Sequence, residues 1–504
     1  MAIKSTTPRS TPEQGKPSGK TKTPGNPAAP ARREAFAILL EVERGHAHSD
    51  DLLRGSRVSA LSTQDRHLAT ALVLGTLRWQ LRLDAMIRPL LARPNARLDA
   101  EVLIALRLGA FQLQHLDRIP AHAAIGESVA LAKSAGHQYA SGMVNAVLRK
   151  LATVPRLTEP ATSSNAKELA ESAAHPLWLV ERWVTFYGLK TAADICRQGQ
   201  RQPELTLHLN DPINDPVVEE QLQLDGIQLA PGALLKDARR VHSGDVTATG
   251  ASQLGRVRIQ EEGSQLIAEL AGKGNRILDC CAAPGGKTLL LAERNPHADI
   301  TAYELSPHRA EALQLRVSAS QWANQIHVEL ADVTKLPAEA AYDLVLADVP
   351  CSGTGTLGRN PEIRHRLQLA DFGRHHARQC AILKAAISLS SRRVVYSTCS
   401  LEPEENAAVV REVLAASSEW RQISLAGRVR ELVADGRITA EGAKLLSACI
   451  AEDGSLMLLP GCLGADVATD GFFIAMLERQ LPAEPNPDKP NPDKPNPAEP
   501  TPAT

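Results

Sequence analysis

The chain has 504 residues, 43% of them hydrophobic, and its 56 basic and 57 acidic residues give a net charge of -1 at pH 7. It is long enough for two or three domains, and no stretch approaches the ~20 apolar residues of a membrane span or follows the first methionine as a signal segment, so we expect a cytoplasmic protein. The eight cysteines include no Cys-x-x-Cys pair, which argues against a zinc site or a disulfide framework and predicts reduced thiols and no bound metal.

Both ends of the chain have compositions typical of disorder. Residues 1–30 are rich in Lys, Pro, Ser, Thr and Gly, with five basic residues and one acid, and residues 481–504 carry Pro-Asn-Pro-Asp-Lys repeats. Such segments cannot bury enough apolar surface to fold. The basic surplus at the start permits a loose contact with RNA, but a solvated tail is the simpler interpretation. We assign the C-terminal tail no function.

Residues 31–152 are predicted to form a helical bundle. Apolar residues recur at helical spacing in 34–42, 68–79 and 102–111, and Pro89, Pro94 and Pro120 separate these segments. From 32 to 152 there are 16 Lys plus Arg and 11 Asp plus Glu, a surplus of five positive charges (16 − 11). That surplus suits a phosphate-binding face, and it suits an ordinary solvated helix surface equally well.

Residues 153–170 read as a Pro/Ser/Thr/Ala-rich linker, and 171–250 as a small α+β module. A helix is predicted to begin at 176 and a strand to occupy 205–210, followed by an Asp-Pro turn at 211–212. The aromatic residues Trp178, Trp183 and Phe186 lie at helical spacing, which favours packing in a core over stacking on bases.

Residues 251–480 read as an α/β domain whose clearest feature is a strand, a glycine turn and a helix at 276–293. The Pro-Gly-Gly at 284–286 lets the backbone approach a ligand, and the following helix N-terminus favours an anionic group. A nucleotide-like ligand is therefore expected. The alternative, an NTPase P-loop, matches at Gly-Lys-Thr 286–288 but has Cys281 where its first glycine belongs.

Four more predicted strands end in groups that suit a site. The strands at 299–304 and 325–332 end in Glu304, placed for ribose hydroxyls, and Asp332, placed for an adenine amino group. The strand at 342–348 ends in Asp348 and is followed by Pro-Cys at 350–351, and the strand at 393–400 ends with Cys399. In open α/β sheets, ligands bind at the carboxyl ends of the strands, so these groups are expected to converge.

Four motifs in order resemble those of the Sun/Fmu (RsmB-type) family of S-adenosyl-L-methionine-dependent RNA cytosine-C5 methyltransferases. They are Asp-Cys-Cys-Ala-Ala-Pro-Gly-Gly-Lys-Thr at 279–288, Asp-Val-Pro-Cys-Ser-Gly at 348–353, Ser-Thr-Cys-Ser at 397–400 with Glu-Pro-Glu-Glu-Asn at 402–406, and Asp-Gly-Phe-Phe at 470–473. The Gln-Glu-Glu-Gly-Ser-Gln at 260–265 resembles a further family motif, with Glu261 in place of the usual Asp. The resemblance implies a Rossmann-like class I methyltransferase domain with a seven-stranded, mainly parallel sheet.

Nearly all of residues 31–152 resemble the NusB-like RNA-binding domain of the small-subunit rRNA branch of that family. The similar stretches are Asp-Arg at 65–66, Gly-Thr-Leu-Arg-Trp at 75–79, Leu-Arg-Leu-Gly-Ala-Phe-Gln at 106–112, Pro-Ala-His-Ala-Ala at 120–124 and Val-Asn-Ala-Val-Leu-Arg at 144–149. The resemblance implies RNA as the partner and residues 171–250 as a module contributing to RNA binding.

The expected chemistry requires a thiolate. Cytosine C5 is too weak a nucleophile to take a methyl group directly, so a thiolate adds to C6 first and is expelled after methylation. From chemistry alone Cys351 and Cys399 are equally suited, and DNA cytosine methyltransferases use the cysteine of a Pro-Cys motif. In the RNA family that this chain resembles, the Thr-Cys-Ser cysteine attacks and the Pro-Cys cysteine assists product release, which implies attack by Cys399 and release by Cys351.

The resemblance also implies the other site residues. Asp348 contacts the N3/N4 edge of cytosine and the donor, and the donor-binding set is Cys281, Ala282, Ala283, Pro284, Gly285, Gly286, Lys287, Glu304, Asp332 and Asp348. We expect the loop 352–362 to close over the base and Arg359 to meet phosphate. Ile-Arg-His-Arg at 363–366 departs from the tryptophan-containing stretch common in the family. The resemblance therefore does not assign the residues that form this wall of the substrate pocket.

The sequence thus predicts a monomer that methylates C5 of a cytosine in 16S rRNA. Two alternatives stay open: the same chemistry on tRNA or another RNA, and a non-catalytic NusB-like RNA-binding or antitermination protein. The second leaves both loop cysteines without a role. A DNA cytosine methyltransferase leaves the Thr-Cys-Ser cysteine and the NusB-like domain without one.

Overall fold

The computed structural model describes residues 28–45, 47–156, 163–210, 215–464 and 467–480. The predicted tails lie outside these ranges apart from residues 28–30, of which Pro30 begins the first helix. The Asp-Pro turn at 211–212 also lies outside them. Within the described ranges, no helix combines the length and apolar character that crossing a bilayer requires.

The N-terminal part is helical, as predicted. Its elements are α1 (Pro30–Glu43), α2 (Ser49–Leu53), α3 (Ser56–Ser59), α4 (Thr63–Ile87), α5 (Ala100–His115), α6 (Ala121–Ser134) and α7 (Ser141–Leu151), with 3-10 turns at Arg88–Leu90 and Gln138–Ala140. The hydroxyl of Ser62 caps α4 by accepting a hydrogen bond from the backbone N–H of Asp65 at 3.1 Å. Proline ends or starts elements here, since Pro89 lies in the turn after α4 and Pro120 is the N-cap of α6.

The helices α4 and α5 approach each other closely at Gly75. A Cβ atom at this position would lie 1.9 Å from Cζ of Phe111, so only glycine fits. One motif arginine is also part of this packing: Arg107 is buried and bonds both carboxylate oxygens of Asp84, at 2.8 and 2.7 Å, and Glu43 at 3.2 Å. Part of the positive charge of the bundle is therefore used inside it.

The small module combines helices with an antiparallel sheet. It contains α8 (Ala166–Ser172), α9 (Leu177–Gln200), β1 (Leu205–Leu209), α10 (Asp215–Leu224), β2 (Gln228–Pro231), β3 (Ala238–Ser243), a 3-10 turn at Val246–Ala248, α11 (Gly250–Gln253) and β4 (Val257–Ile259), and the strand order is β2-β3-β1-β4. The segment predicted as a linker already holds the start of α8, which Asn165 caps through the backbone N–H of Glu168. Trp183 is fully buried, as predicted, whereas Phe186 is exposed and packs under the guanidinium of Arg182.

The C-terminal part is an α/β domain with helices on both faces of one sheet. Its strands are β5 (Arg276–Asp279), β6 (Asp299–Glu304), β7 (Ile326–Leu330), β8 (Tyr342–Asp348), β9 (Ser390–Thr398), β10 (Trp420–Ile423), β11 (Leu456–Leu458) and β12 (Phe472–Arg479). Its helices are α12 (Glu262–Ala271), α13 (Gly286–Arg294), α14 (Pro307–Ser318), α15 (Ile363–Arg366), α16 (Leu369–Leu389), α17 (Ala407–Ala415), α18 (Ala426–Ala434) and α19 (Ala440–Ala448), with 3-10 turns at Val333–Lys335, Thr354–Thr356 and Pro403–Glu405.

The sheet has the order β10-β12-β9-β8-β5-β6-β7, and the five strands β5 to β9 are parallel. It has eight strands rather than the seven predicted. The eight-residue β12 is long enough for its outer edge to pair with β10 along one half and with the additional strand β11 along the other. Successive residues of β8 point to opposite faces: Val345 packs with α16 and α17, whereas Leu344 and Leu346 pack with α12 and α13.

Candidate active site

The first component of the site is the loop between β5 and α13. Gly285 has φ = +96° and is the N-cap of α13, and a Cβ there would lie 2.6 Å from Cδ1 of Leu313, so the turn requires glycine. Asp279 holds the loop closed, because its Oδ2 accepts from the hydroxyl of Thr288 at 2.8 Å and its Oδ1 from the backbone N–H of Cys281 at 3.4 Å. Burial raises the pKa of Asp279 to about 6, and the Thr288 hydrogen bond opposes this shift.

Asp279 begins the motif at 279–288 but is not among the predicted site residues. Its position as the last residue of a buried strand, directly before the glycine turn, is the same signal that identified the other strand-end acids. The neighbouring Cys280 is buried against the sheet, as expected for a structural cysteine.

The two acids predicted to bind the donor follow the next two strands. Glu304 ends β6, is buried, and accepts a hydrogen bond from the backbone N–H of Ser306 at 2.9 Å. Asp332 follows β7, and its Oδ1 accepts from the backbone N–H and the hydroxyl of Thr334, at 3.1 and 2.6 Å. The Thr334 hydroxyl lowers the pKa of Asp332. Both carboxylates therefore lie at the carboxyl edge of the sheet, with β6 next to β5 and β7 next to β6.

The two cysteines meet at the ends of adjacent strands. Cys351 follows β8 and Cys399 follows β9, and their sulfur atoms are 3.3 Å apart. The hydrogen bond with Cys399 and burial raise the pKa of Cys351 well above its usual value. Each of the two residues as a whole is partly exposed.

An ion pair lies beside the cysteines. Nζ of Lys287, from the first turn of α13, is 2.8 Å from Oδ2 of Asp348, while Oδ1 of Asp348 accepts from the hydroxyl of Ser397 at 2.7 Å. Burial alone would lower the pKa of Lys287, but the Asp348 carboxylate and then Cys399 outweigh it and raise the pKa. The Lys287 ammonium is thus a buried cation held between Asp348 and Cys399.

The loop 352–362, predicted to close over the base, is packed into the protein over much of its length. Residues Ser352 to Gly358 are buried, and Arg359 is paired with Asp470 at 2.7 Å instead of facing solvent for phosphate. The positive charge of Arg359 faces two acids, because Glu261 lies near the guanidinium as well as Asp470. Burial and then Asp470 raise the pKa of Glu261 to about 8, and Arg359 opposes this.

The helical N-terminal part holds the end of this loop. Arg78 of α4 is buried and donates from Nε and Nη2 to the carbonyl of Gly358, at 3.3 and 2.6 Å. The hydroxyl of Ser49 donates to Glu362 at 2.8 Å, and Arg366 donates to the carbonyl of Val42 at 2.6 Å. The stretch 363–366, which departs from the family pattern, therefore docks on the helical bundle.

One group of possible metal ligands exists among the described residues, although the sequence spacing predicted none. His376, Cys380 and Glu412 have donor atoms within 4.8 Å of one another. Nδ1 of His376 is 2.7 Å from the carbonyl of Glu404 and Nε2 is 2.8 Å from Glu412, which also faces Lys384 at 3.6 Å. We assign no metal role to the group, because these atoms already have protein partners.

Comparison with known proteins gives consistent matches over three regions. Residues 29–153 match the profile of the NusB family, 175–247 that of the RsmF/B-like methyltransferase ferredoxin-like domain, and 269–478 that of the 16S rRNA methyltransferase RsmB/F. The chain is 32% identical to the probable ribosomal RNA small subunit methyltransferase B of Bacillus subtilis over 457 residues, covering 88% of this chain and 98% of that protein.

Further relatives and one solved structure cover similar shares. The ribosomal RNA small subunit methyltransferase B of Thermus thermophilus is 35% identical, over 78% of this chain and 89% of its own length, and that of Pseudomonas putida is 31% identical, over 80% and 92%. The crystal structure of PH0851 superposes with a TM-score of 0.72 at 22% identity, covering 90% of this chain and 100% of that one. The last match supports the fold.

Proposed function

The chain belongs to the RsmB/F family of 16S rRNA methyltransferases, and from this membership we infer that it transfers a methyl group from S-adenosyl-L-methionine to C5 of a cytosine in 16S rRNA. The observation that carries the proposal for the catalytic residues is the pair of sulfur atoms 3.3 Å apart at the ends of β8 and β9, beside the Lys287–Asp348 ion pair. Each part of that arrangement has a role in the chemistry.

The residues at the sheet edge suit the donor. The N-terminal N–H groups of α13 suit a carboxylate, and the buried Glu304 carboxylate suits ribose hydroxyls. When bound, S-adenosyl-L-methionine supplies an electrophilic methyl group. We propose that residues 281–287, Glu304 and Asp332 hold it, with Asp348 between donor and base.

We propose that Cys399 is the nucleophile. The Lys287 ammonium lies near Cys399, whereas the hydrogen bond between the cysteines and burial raise the pKa of Cys351 well above its usual value and so disfavour its thiolate. The thiolate forms a bond to C6, the C5=C6 electron pair moves into the ring toward N3, and Asp348 bonds the N3/N4 edge. C5 then forms its bond to the methyl carbon while the bond from that carbon to the donor sulfur breaks, and the donor leaves as a neutral thioether.

Release reverses the addition. C5 gives its proton to solvent water, the C5=C6 double bond forms again, and the C6–S bond breaks, returning Cys399 as a thiolate. We propose that Cys351, 3.3 Å from Cys399, assists this step. The cytosine must be unpaired or turned out of its stack to reach the two sulfur atoms, which costs a few kcal/mol if it is paired.

The test is methyl transfer from labelled S-adenosyl-L-methionine to unmethylated small-subunit rRNA, with purified tRNA in parallel and the product base identified. We expect 5-methylcytosine in rRNA with the intact protein, none with Cys399→Ala, and an accumulating covalent RNA–protein adduct with Cys351→Ala. An adduct that survives Cys399→Ala but disappears in Cys351→Ala would reverse the two roles. Labelling of tRNA alone would overturn the substrate assignment.

We also propose the organisation in which the enzyme works. The domains are residues 31–152, 171–250 and 251–480, and the protein acts in the cytoplasm as a monomer. The three ranges are supported by their largely separate secondary-structure content, although α8 of the middle module begins before residue 171 and its strand β4, which pairs with β1, lies after residue 250. Sedimentation of the full chain at assay concentration tests the monomer, and a dimer would overturn it.

A further inference from the structure

One buried carboxylate contacts the residues that directly follow both cysteines. Glu405, at the end of the 3-10 turn Pro403–Glu405 after β9, is fully buried. Its Oε1 accepts from the backbone N–H of Ser352 at 2.8 Å and from Nε2 of Gln379 at 3.0 Å. Its Oε2 accepts from the hydroxyls of Ser352 and Ser400. Four donors therefore converge on one side chain.

The partners of Glu405 are the residues next to the two thiols. Ser352 follows Cys351 and Ser400 follows Cys399, and the two serine hydroxyl oxygens are 3.1 Å apart. Gln379 extends the connection, because its Nε2 also donates to the carbonyl of Pro350 at 3.0 Å. One carboxylate thus bonds to the segments that carry both sulfur atoms.

Strand pairing ends before the cysteines. Pairing between β8 and β9 ends at Asp348 and Ser397, and pairing between β9 and β12 ends at Thr398, so Cys351 and Cys399 themselves lie outside the strand ladder. Two hydrogen bonds already join the two loops, from the N–H of Gly355 to the carbonyl of Cys399 and from the N–H of Leu401 to the Thr354 hydroxyl, both at 2.9 Å. The side chain of Glu405 adds contacts at the residue directly after each cysteine.

We propose that Glu405 is a positioning residue that sets the distance between the two thiols and thereby supports both attack and release. The inference rests on the proposed roles of Cys399 and Cys351. Nucleophilic addition and elimination depend on reacting atoms held within a few tenths of an ångström, and a displacement of about 1 Å costs roughly 100-fold in rate. The carboxylate suits this role because both of its oxygens only accept hydrogen bonds and all four partners donate.

The substitutions Glu405→Ala and Glu405→Gln separate the geometry from simple burial. Alanine removes all four acceptor interactions. In glutamine, the amide oxygen can keep the bonds from Ser352 N–H and Gln379, and the amide nitrogen can donate to the serine hydroxyls after they rotate. Glu404→Gln is the matched control, because Glu404 is in the same turn but faces Arg182.

The first experiment measures the thiol pair directly with phenylarsine oxide, which binds two close thiols together. It uses the full chain in a Cys449→Ser background, because Cys449 hydrogen-bonds Cys462 and is a second close pair. Relative to this background, we expect Glu405→Ala to weaken binding about tenfold or more, and Glu405→Gln and Glu404→Gln to leave it within about threefold, following the loss or retention of the hydrogen bonds. Adding Cys351→Ser identifies the binding that belongs to the pair.

The second experiment measures methyl transfer to small-subunit rRNA. We expect Glu405→Ala to lower kcat at least about tenfold with KM for the donor within about twofold, and Glu405→Gln to restore most of kcat, because only the positions of the thiols change. A role in general folding would instead lower donor binding and Tm together in both variants. Arsenical binding by Glu405→Ala equal to that of its background overturns the proposal.

The two experiments fail separately. If the intact protein labels no rRNA, the proposed function is wrong, and the arsenical measurement still decides whether Glu405 sets the thiol distance. If the intact protein methylates rRNA and Glu405→Ala does so at the same kcat, the proposed function stands and the positioning role is wrong.

Discussion

The contact between Arg78 and Gly358 predicts that the helical bundle is part of the active-site structure. The guanidinium is 4% exposed and is the donor of both hydrogen bonds to the Gly358 carbonyl. Burial and the nearby Arg359 lower the pKa of Arg78 to about 10, so it stays protonated at neutral pH. Arg78→Met keeps the packing of the aliphatic stem and removes both donors.

The expected loss follows from these contacts. A hydrogen bond from a charged donor contributes about 1.5–3 kcal/mol, and the carbonyl left unpaired in the interface costs about 1–3 kcal/mol. Removing a buried charge returns part of this, so we expect a net loss of about 2 kcal/mol. That corresponds to roughly 30-fold in the equilibrium between docked and undocked states of the loop.

The assay compares Arg78→Met with Arg97→Met in the full chain. Arg97 lies on an exposed surface of the same bundle, so the two variants lose the same charge and differ in what the arginine contacts. We expect Arg78→Met to lower Tm, to increase proteolysis within residues 352–366, and to lower kcat for rRNA methylation, and Arg97→Met to do none of these.

Two results would refute the reasoning. Equal Tm and proteolysis in the two variants would mean that the hydrogen bonds to Gly358 contribute nothing. A normal Tm in Arg78→Met with weaker RNA binding and a reduced dependence of that binding on salt would identify Arg78 as a phosphate contact instead.

Three further predictions concern the active-site cation, a buried acid and the helical packing. Lys287→Met should lower methylation by about tenfold or more, because it removes the cation that pairs with Asp348 at 2.8 Å and so releases the carboxylate proposed to contact the cytosine edge; a rate equal to that of the intact protein would contradict this. Burial beside Asp470 raises the folded-state pKa of Glu261 to about 8 from 4.5, so its contribution to stability is present below pH 4.5 and is lost as pH rises to 8. Glu261→Gln should therefore gain stability relative to the intact protein between pH 5 and pH 8 in thermal unfolding, and a constant difference in Tm would count against the shift. Gly75→Ala should cost about 1–3 kcal/mol by overpacking, whereas Gly142→Ala, where a Cβ meets nothing within 4 Å, should be neutral; equal unfolding free energies would contradict the close packing of α4 and α5.

The contacts around the 352–366 segment connect the bundle with the chemistry. Glu362 accepts hydrogen bonds from the backbone N–H and the hydroxyl of Ser49, and Nε2 of His365 is 2.7 Å from the carbonyl of Leu77. The same segment begins directly after Cys351. A substitution in the helical bundle is therefore expected to shift the position of the Cys351 thiol, although no residue of the catalytic domain has been replaced.

Local patterns in the sequence were sufficient for the elements and for the strand-end groups. Buried parallel strands are short apolar runs, and the glycine turn at 284–286 interrupts one of them, so the strands ending at Asp279, Glu304 and Asp348 were predictable from neighbouring residues. Since the carboxyl ends of parallel strands share one edge, the convergence of Asp348, Cys351 and Cys399 followed as well. The eighth strand was not predicted, because β11 has only three residues.

The partners of the charged side chains depended on tertiary structure. Arg359 was predicted to meet phosphate and instead pairs with Asp470, 111 residues away. Arg78 belonged to an RNA-binding motif and bonds a carbonyl 280 residues away. Glu405 belonged to a motif in which it had no predicted role, and it accepts a hydrogen bond from the backbone N–H of Ser352, 53 residues away. A buried charge or polar group must find a partner wherever the fold brings one, and the periodicity of neighbouring residues carries no information about contacts at such separations.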